Sequence, residues 1–400
     1  MSKHKILSVG ICTTDNLGDI AIMTMIHNMF TDAGYQVEKI DFNFRALVEN
    51  TFPFLVQKRS SSEADVSVKI VKCDCLDNRF FKTLRNCLKF FFYWPLVLII
   101  FLRKSRGCSK VFIGGGNLLM GVEYGFPLQA LTYVLFSKLM RKRVDFLCVG
   151  AGPFTAPGVK FLLGYALRLS DRVICRDSES MKLIEKEFGS DSVKLDVIPD
   201  PVLLWPKLSE KKGYKYDVLI NVLPLFSVSI FPDGDKQKAN NFRTSIERLI
   251  TELISRDLTV GIFITDAAVD AHIGKQVIEG VLANTGTQLI LEVPSNPNEL
   301  AMLCNQTRII FSSRMHGAIM ALSQYVPALC ICWQPKVEGL YSELQMEDFL
   351  VKLDDLGRFS VSDTVSKIFD IHTKQQAYIG YIQQKLDKIK SQYIELWGTL

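Results

Sequence analysis

The chain has 400 residues, 48% of them apolar and 22% charged, a composition that fits a folded, mostly buried α/β protein and excludes a disordered or fibrous one. That length exceeds what one hydrophobic core organises, so two domains of roughly 200 residues are expected. A net charge of +5 favours anionic small molecules but is too small and dispersed for nucleic acid, and no nucleic-acid-binding signature is present.

The chain starts directly in a strand, Lys5–Ile11, with no signal peptide, so a cytoplasmic location is expected. Asp19–Ala33 has helical periodicity and stops at Gly34, and Gln36–Phe42 is the next strand. Asn50–Asp77 is polar and irregular, with Ser60-Ser61-Ser62 as an exposed loop. Leu88–Leu102 is intensely apolar, contains Pro95, and is followed by Arg103-Lys104-Ser105-Arg106. It falls short of the ~20 residues that cross a bilayer. Two readings stand: a helix packed on the sheet, or a peripheral membrane contact through residues 88–106, with aromatics in the lipid interface and cations on anionic headgroups. Arg141-Lys142-Arg143 would extend the same basic face.

Lys110–Ile113 is a short buried strand that ends in Gly114-Gly115-Gly116-Asn117. Gln129–Met140, Val159–Leu169 and Ser178–Phe188 then read as helices, and Val144–Val149, Arg172–Cys175 and Lys194–Ile198 as strands. Pro199-Asp200-Pro201 breaks the series, and a join is expected near 203–214, closing an N-terminal domain over 1–205.

The second series spans 206–372. Its strands are Asp217–Leu223, Leu258–Thr265, Thr287–Leu291, Arg308–Phe311, Ala328–Cys332 and Phe349–Leu353. Its helices are Asn241–Ser255, Ala268–Ala283, Asn298–Asn305 and Ala318–Gln324. The tail, 373–400, holds an amphipathic helix, Lys374–Trp397, expected to pack back on the first domain. Alternation of this kind implies parallel sheets with right-handed crossovers. The predicted fold class is therefore α/β, two Rossmann-like doubly wound parallel-sheet domains, and if the two sheets face each other their loops converge on one cleft.

The ten cysteines are scattered, and Cys148, Cys175, Cys330 and Cys332 lie in apolar strand-like runs. That is the pattern of buried, reduced thiols rather than of a disulfide framework. Cys73-x-Cys75 and Cys330-x-Cys332 lack the spacing and companion histidines of a zinc site, so no metal is expected.

Ligands of parallel α/β sheets sit beyond the carboxyl ends of the strands. Here that rule selects the loops Thr13–Asp19, Gly114–Gly121, Gly150–Gly152, Arg176-Asp177 and the turn at Arg314 and His316. The last is the most informative. Ser312-Ser313-Arg314-Met315-His316-Gly317 leads from a buried strand into an apolar helix, so free N–H groups and a helix dipole meet a guanidinium and an imidazole. Such a turn suits a small, highly charged anion undergoing acid–base chemistry.

The ordered set Asn16-Leu17-Gly18-Asp19, Gly114-Gly115-Gly116-Asn117, Gly150-Ala151-Gly152-Pro153, Cys175-Arg176-Asp177-Ser178-x-Ser180, Pro199-Asp200-Pro201, Ser313-Arg314-Met315-His316-Gly317 and Gln334-Pro335-Lys336 resembles the polysaccharide pyruvyl transferase family. The resemblance runs from about residue 5 to about residue 345. It implies a fold like that of the B-type glycosyltransferases, with the first domain on the acceptor side and the second on the donor side. It implies transfer of the enolpyruvyl carbons of phosphoenolpyruvate onto two hydroxyls of a sugar, giving a pyruvate ketal. The acceptor class is a hexose of an exopolysaccharide, capsule or cell-wall repeat, or of a lipid-linked oligosaccharide precursor.

Under that resemblance His316 is the general acid/base, and Arg314 and Arg176 clamp the anionic groups of the donor. Backbone N–H groups near Met315 complete the phosphate site, and Lys336 adds a point charge. Asn16, Asp19 and Asn117 fall to the acceptor. Structural alternatives stand beside each: His316 as a helix cap or core residue, Arg314 paired with a carboxylate such as Glu299, Arg176 paired with Asp177, and Lys336 as a solvated surface lysine. Asp19 could be only the N-cap of the first helix, Asn117 a turn cap, and Asp177 and Asp200 loop-fixing groups. The chemistry as written needs no cofactor or metal. Two other functions remain open: a nucleotide-sugar glycosyltransferase, with Glu338 on the ribose, and a non-catalytic membrane-associated polysaccharide assembly protein resting on residues 88–102.

Overall fold

A computed structural model of the chain describes residues 4–52, 92–189, 193–209, 213–227 and 234–397. The Ser60–Ser62 loop, Cys73-x-Cys75 and residues 88–91 of the apolar run lie outside the described residues.

The first lobe is built from β1 (Lys5–Gly10), α1 (Leu17–Asp32), β2 (Gln36–Asp41), α2 (Phe44–Thr51), a helix α3 over 92–104, β3 (Cys108–Leu119), α4 (Gly125–Leu139), β4 (Arg143–Ala151), α5 (Val159–Leu169), β5 (Arg172–Cys175), α6 (Ser178–Phe188) and β6 (Leu195–Val197). Its strands are near-continuous apolar runs because helices cover both faces: Ile6, Leu7, Val111, Ile113, Phe146, Leu147, Val173 and Ile174 are inaccessible to solvent. The sheet order is β2-β1-β3-β4-β5-β6, every pairing parallel. Its strand order reverses at β1, between β2 and β3.

The second lobe contains β7 (Tyr216–Asn221), α7 (Lys236–Ile254), β8 (Val260–Phe263), α8 (Ala267–Thr285), β9 (Leu291–Glu292), α9 (Pro297–Asn305), β10 (Thr307–Ser312), α10 (Met315–Ser323), β11 (Ala328–Cys332), α11 (Pro335–Glu343), β12 (Leu350–Lys352) and α12 (Val361–Thr373). Its order, β12-β11-β10-β7-β8-β9, is again all parallel, and it is the Rossmann order, with the reversal between β7 and β10. The two lobes are thus doubly wound parallel sheets, as the alternation implied.

Several boundaries differ from the sequence reading. β3 does not stop at Ile113 but runs through the glycines to Leu119, pairing with β4 across a register shift after Gly116. α7 begins at Lys236, not Asn241, because Asp235 accepts from the Gln237 and Lys238 N–H groups. α10 begins at Met315, not Ala318, so His316 lies in a helical first turn. The sequence reading passed over α11 and α12; α11 has a proline at its start that pre-sets the helical φ.

The lobes touch through named bonds. Leu17 N–H donates to Thr265 O at 3.0 Å, and Asn16 and Asp266 form an isolated antiparallel bridge. Glu343 Oε1 of α11 accepts from Ser178 N–H, the first residue of α6, at 2.7 Å. The last helix, α13 (Gln375–Trp397), starts beside β10, where Gln375 and Arg308 exchange bonds, and ends in the first lobe. There Tyr393 Oη donates to Pro199 O at 2.5 Å.

The cysteines among the described residues are unpaired thiols. Burial pushes the Cys148 thiol up to about 12, so it stays protonated near neutral pH. Among the described residues no helix is long and apolar enough to cross a membrane.

Candidate active site

At the reversal point of the second sheet, Asn221 closes β7 and organises the turn after β10. Its Oδ1 accepts from Arg314 N–H at 2.9 Å and from Ser312 Oγ at 3.3 Å; its backbone O accepts from Ser313 Oγ at 2.9 Å. Arg314 is thereby held extended, with φ −105° and ψ 133°, as the N-cap of α10, and its side chain makes no capping bond. The first turn of α10 consequently presents backbone N–H groups with no side-chain cap. α11 begins likewise, with Gln334 as a side-chain-free cap and Lys336 in its first turn.

The Arg314 fork is occupied from within. Nε and Nη2 donate to the two carboxylate oxygens of Asp270 on α8, at 2.7 and 2.6 Å. Asp270 is fully buried, and burial pushes its carboxyl up, against the pull of Arg314 and with help from Asp266. The internal partners of Arg314 are therefore Asp270 and, with Oδ2 3.9 Å from Nη2, Asp266. Glu299 instead accepts from Ser295 and Asn296 on the turn before α9. A clamp through the Nε–Nη2 edge is closed to a ligand, which leaves Arg314 the opposite edge of the guanidinium.

Across the cleft, α1 starts with Asn16 as N-cap, its Oδ1 accepting from Gly18 N–H at 2.9 Å. Asn16 thus does the capping that the sequence also allowed Asp19; Asp19 lies within the first turn. Gly18 lies against His316: a methyl at Gly18 would come within 2.2 Å of His316 Nδ1. Gly116 has φ +78°, and a methyl there would meet Asp19 Oδ1 at 2.9 Å, so only glycine lets β3 pass beneath that carboxylate.

Arg176 follows β5 and is 3% exposed. Its Nη2 donates to Asn117 Oδ1 at 2.6 Å, Nε lies 3.6 Å from Asp177 Oδ2, and Nη1 lies 4.0 Å from Asp200 Oδ2. Asn117, expected on the acceptor, spends its side-chain oxygen on holding this arginine. Asp177 caps α6 through Ser180 N–H at 2.7 Å. Asp200 Oδ1 accepts from Val202 N–H at 3.0 Å, while Oδ2 points at His316 Nε2, 3.6 Å away. Burial would push the Asp200 carboxyl up, but His316, Arg176 and the Val202 N–H outweigh it and hold it below the ordinary carboxylate value.

Three buried polar atoms here have no hydrogen-bond partner: Arg176 Nε, Asp200 Oδ2 and His316 Nε2. Buried unpaired groups of this kind cost stability and call for a catalytic or ligand-binding explanation. Lys336 stands beside them and forms no hydrogen bond or ion pair among the described residues. Its ammonium is lowered to about 8, first by burial, then by Arg176 and Arg314, against the opposing pull of Asp19 and Asp177. The arrangement is a cluster of three cations from both lobes interleaved with the carboxylates of Asp19, Asp177, Asp200 and Asp270, with a carboxylate-backed imidazole at its edge.

Arg176, Arg314, Met315, His316, Lys336 and Asp19 therefore come together, Asn117 holds Arg176 among them, and Asn16 caps α1. Sequence reasoning missed Asp270 as the holder of Arg314, Asp200 as the partner of His316, and Asn221 as the hub of the turn. Pro199-Asp200-Pro201 was a visible signal; what the aspartate faced was not. Among the described residues no group of three or more His, Cys, Asp or Glu side chains forms a metal-binding cluster.

No curated protein sequence matches this chain. Solved structures share its fold at low identity. A glycosyltransferase from Rickettsia africae has TM-score 0.58 and 12% identity over 99% of this chain and 98% of its own. A UDP-forming α,α-trehalose-phosphate synthase from Burkholderia vietnamiensis has TM-score 0.56 and 10% identity over 100% and 99%. The UDP-GlcNAc 2-epimerase of Neisseria meningitidis has TM-score 0.51 and 13% identity over 98% and 100%. These likenesses establish paired Rossmann-like domains of the glycosyltransferase-B kind and nothing about substrate. The model of polysaccharide pyruvyl transferase matches residues 16–335, which takes in Asp19, Arg176, Asp200, Arg314 and His316 and stops one residue short of Lys336, and the chain belongs to that family.

Proposed function

We propose that this transferase moves the enolpyruvyl carbons of phosphoenolpyruvate onto two hydroxyls of a sugar, in a polysaccharide or its lipid-linked precursor. The observation that carries the reading is the desolvated trio of Arg176, Asp200 and His316 beside unpaired Lys336. Phosphoenolpyruvate carries a carboxylate and a phosphate on adjacent atoms, so it needs several cations in one small space.

Lys336, Arg176 and the free edge of Arg314 bind the two anionic groups, and the uncapped N–H groups of α10 take phosphate oxygens. His316 turns Nε2 to Asp200, which leaves Nδ1, beside Gly18, to exchange protons with the donor. Protonation of the methylene carbon makes C2 electrophilic. One sugar hydroxyl adds to C2, its proton passing to the imidazole, and the C2–O bond to phosphate breaks. The second hydroxyl adds, and its proton leaves with the phosphate. Two hydroxyl protons are thus accounted for, one in the new methyl and one on phosphate. Side chains carry every proton and charge, so the scheme asks for no metal or cofactor. Asp19, whose charge acts on Lys336, takes an acceptor hydroxyl in this reading.

Thermal shift separates this donor from a nucleotide. Phosphoenolpyruvate stabilises the chain and uridine diphosphate does not; the reverse result would favour nucleotide-sugar transfer and overturn the proposal.

A further inference from the structure

α3, α4 and α5 lie side by side on the face of the first sheet opposite α1. Their inner residues share one core, and Trp94 of α3 packs on Phe136 of α4 at a ring separation of 5.0 Å. Helices of this kind ordinarily turn polar residues outward. These do not. Phe161, Tyr165 and Leu169, successive turns of α5, are 67, 47 and 36% exposed; Leu135 and Leu139 on α4 are 46 and 73% exposed. On α3, Ile99 is 47% exposed. Large apolar side chains thus stand in water in a row across three neighbouring helices.

The charges of these three helices are one-sided, although α6, next to α5 in the same layer, carries Glu179, Glu185 and Glu187. The three helices contain Arg103, Lys104, Lys138, Lys160 and Arg168, and no aspartate or glutamate. Lys138 and Lys160 pair with Asp171 and Glu187 outside the helices. Arg168, Arg103, Arg106 and Arg141 are exposed and have no ion pair among the described residues. Each helix leads into a parallel strand, so the helices' carboxyl ends, where these four arginines gather, share one edge of the layer.

We infer that this three-helix face docks on an anionic lipid surface. Apolar side chains enter the interface between headgroups and acyl chains, and the unpaired arginines meet the negative headgroups along one edge. Charge complementarity selects lipid over a second copy: anionic headgroups supply the negative charge that the four arginines lack, and a second copy would bring the same unpaired arginines. The inference goes beyond the donor chemistry and is independent of it; it would bring the cleft to an acceptor carried on lipid.

Flotation of the purified full chain with vesicles tests it. The chain floats with phosphatidylcholine vesicles containing phosphatidylglycerol, floats weakly with phosphatidylcholine alone, and is released by salt. The combined Phe161→Ser, Tyr165→Ser and Leu169→Ser variant loses at least about tenfold in partitioning, while its thermal shift with phosphoenolpyruvate stays that of the unaltered chain. Arg141→Glu with Arg168→Glu, which leaves the apolar row intact, loses binding to the anionic vesicles in the same direction. An unaltered chain that stays unbound, or serine and glutamate variants that float as it does, would overturn the inference. So would a dimer that the serine variant dissociates in the absence of any vesicle binding.

Discussion

The imidazole of His316 has Asp200 behind one nitrogen and Gly18 against the other, and Asp200 is itself locked by the Val202 N–H and faced by Arg176. His316→Gln removes the proton carrier, and kcat falls by about 10² to 10⁴ in a phosphate-release assay with little change in melting temperature. Asp200→Asn costs about 1–3 kcal/mol at neutral pH. Its carboxyl is held below the ordinary value in the fold, so that stability is present above the unfolded pKa near ~3.9 and fades as acid protonates it. Urea titrations of variant and parent should therefore converge in acid; a gap that persists there would remove the ionised carboxylate from the account. Lys336 titrates at about 8 in the free chain, mainly through burial. Donor affinity should fall as pH rises through that value, and binding above it should take up a proton, which calorimetry in buffers of different ionisation heat reads directly. Lys336→Met should abolish both effects. The sequence exposed these residue types at strand ends because parallel sheets place ligands there. It hid their partners: Arg314 and Asp270 are 44 residues apart, and the aspartate looks like any polar position on an amphipathic helix.

At the scale of elements, the first turns of α1 and α10 meet at Gly18 and His316, one from each lobe. Gly18→Ala puts a methyl where the imidazole lies. The ring must move or the lobes must part, at a cost of about 1–3 kcal/mol and with a loss of turnover larger than the loss of donor affinity. Equal kcat in the alanine variant would contradict the packing described. Helix starts were the least legible feature of the sequence. Arg314 is no ordinary N-cap residue, and α10 starts there because Asn221, from a different strand, binds its N–H. Periodicity reports the apolar face of a helix but not a cap supplied from elsewhere in the chain. β9, only two residues long, shows the same limit for strands, whereas the buried runs of β4, β5 and β10 were plain.

The whole molecule is two sheets whose reversal points confront each other, tied by the Asn16–Asp266 bridge and by α13. Alternation of strand and helix made the doubly wound class legible; neither it nor composition could say which loops of one lobe would meet which of the other. α13 is bonded to Arg308 near its start and to Pro199, the neighbour of Asp200, near its end. Tyr393→Phe removes the second tie and should lower stability by about 1 kcal/mol, read as a shift in the denaturant midpoint. An unchanged midpoint would show that the tie contributes nothing. The measurement that bears most directly on the central claim is incubation of the chain with phosphoenolpyruvate and candidate bacterial-type hexosides, following phosphate and acceptor mass together. The account predicts equimolar phosphate and pyruvate ketal, both lost in His316→Gln. Phosphate release without a ketal on any sugar, or sugar transfer from a nucleotide donor in its place, would contradict it.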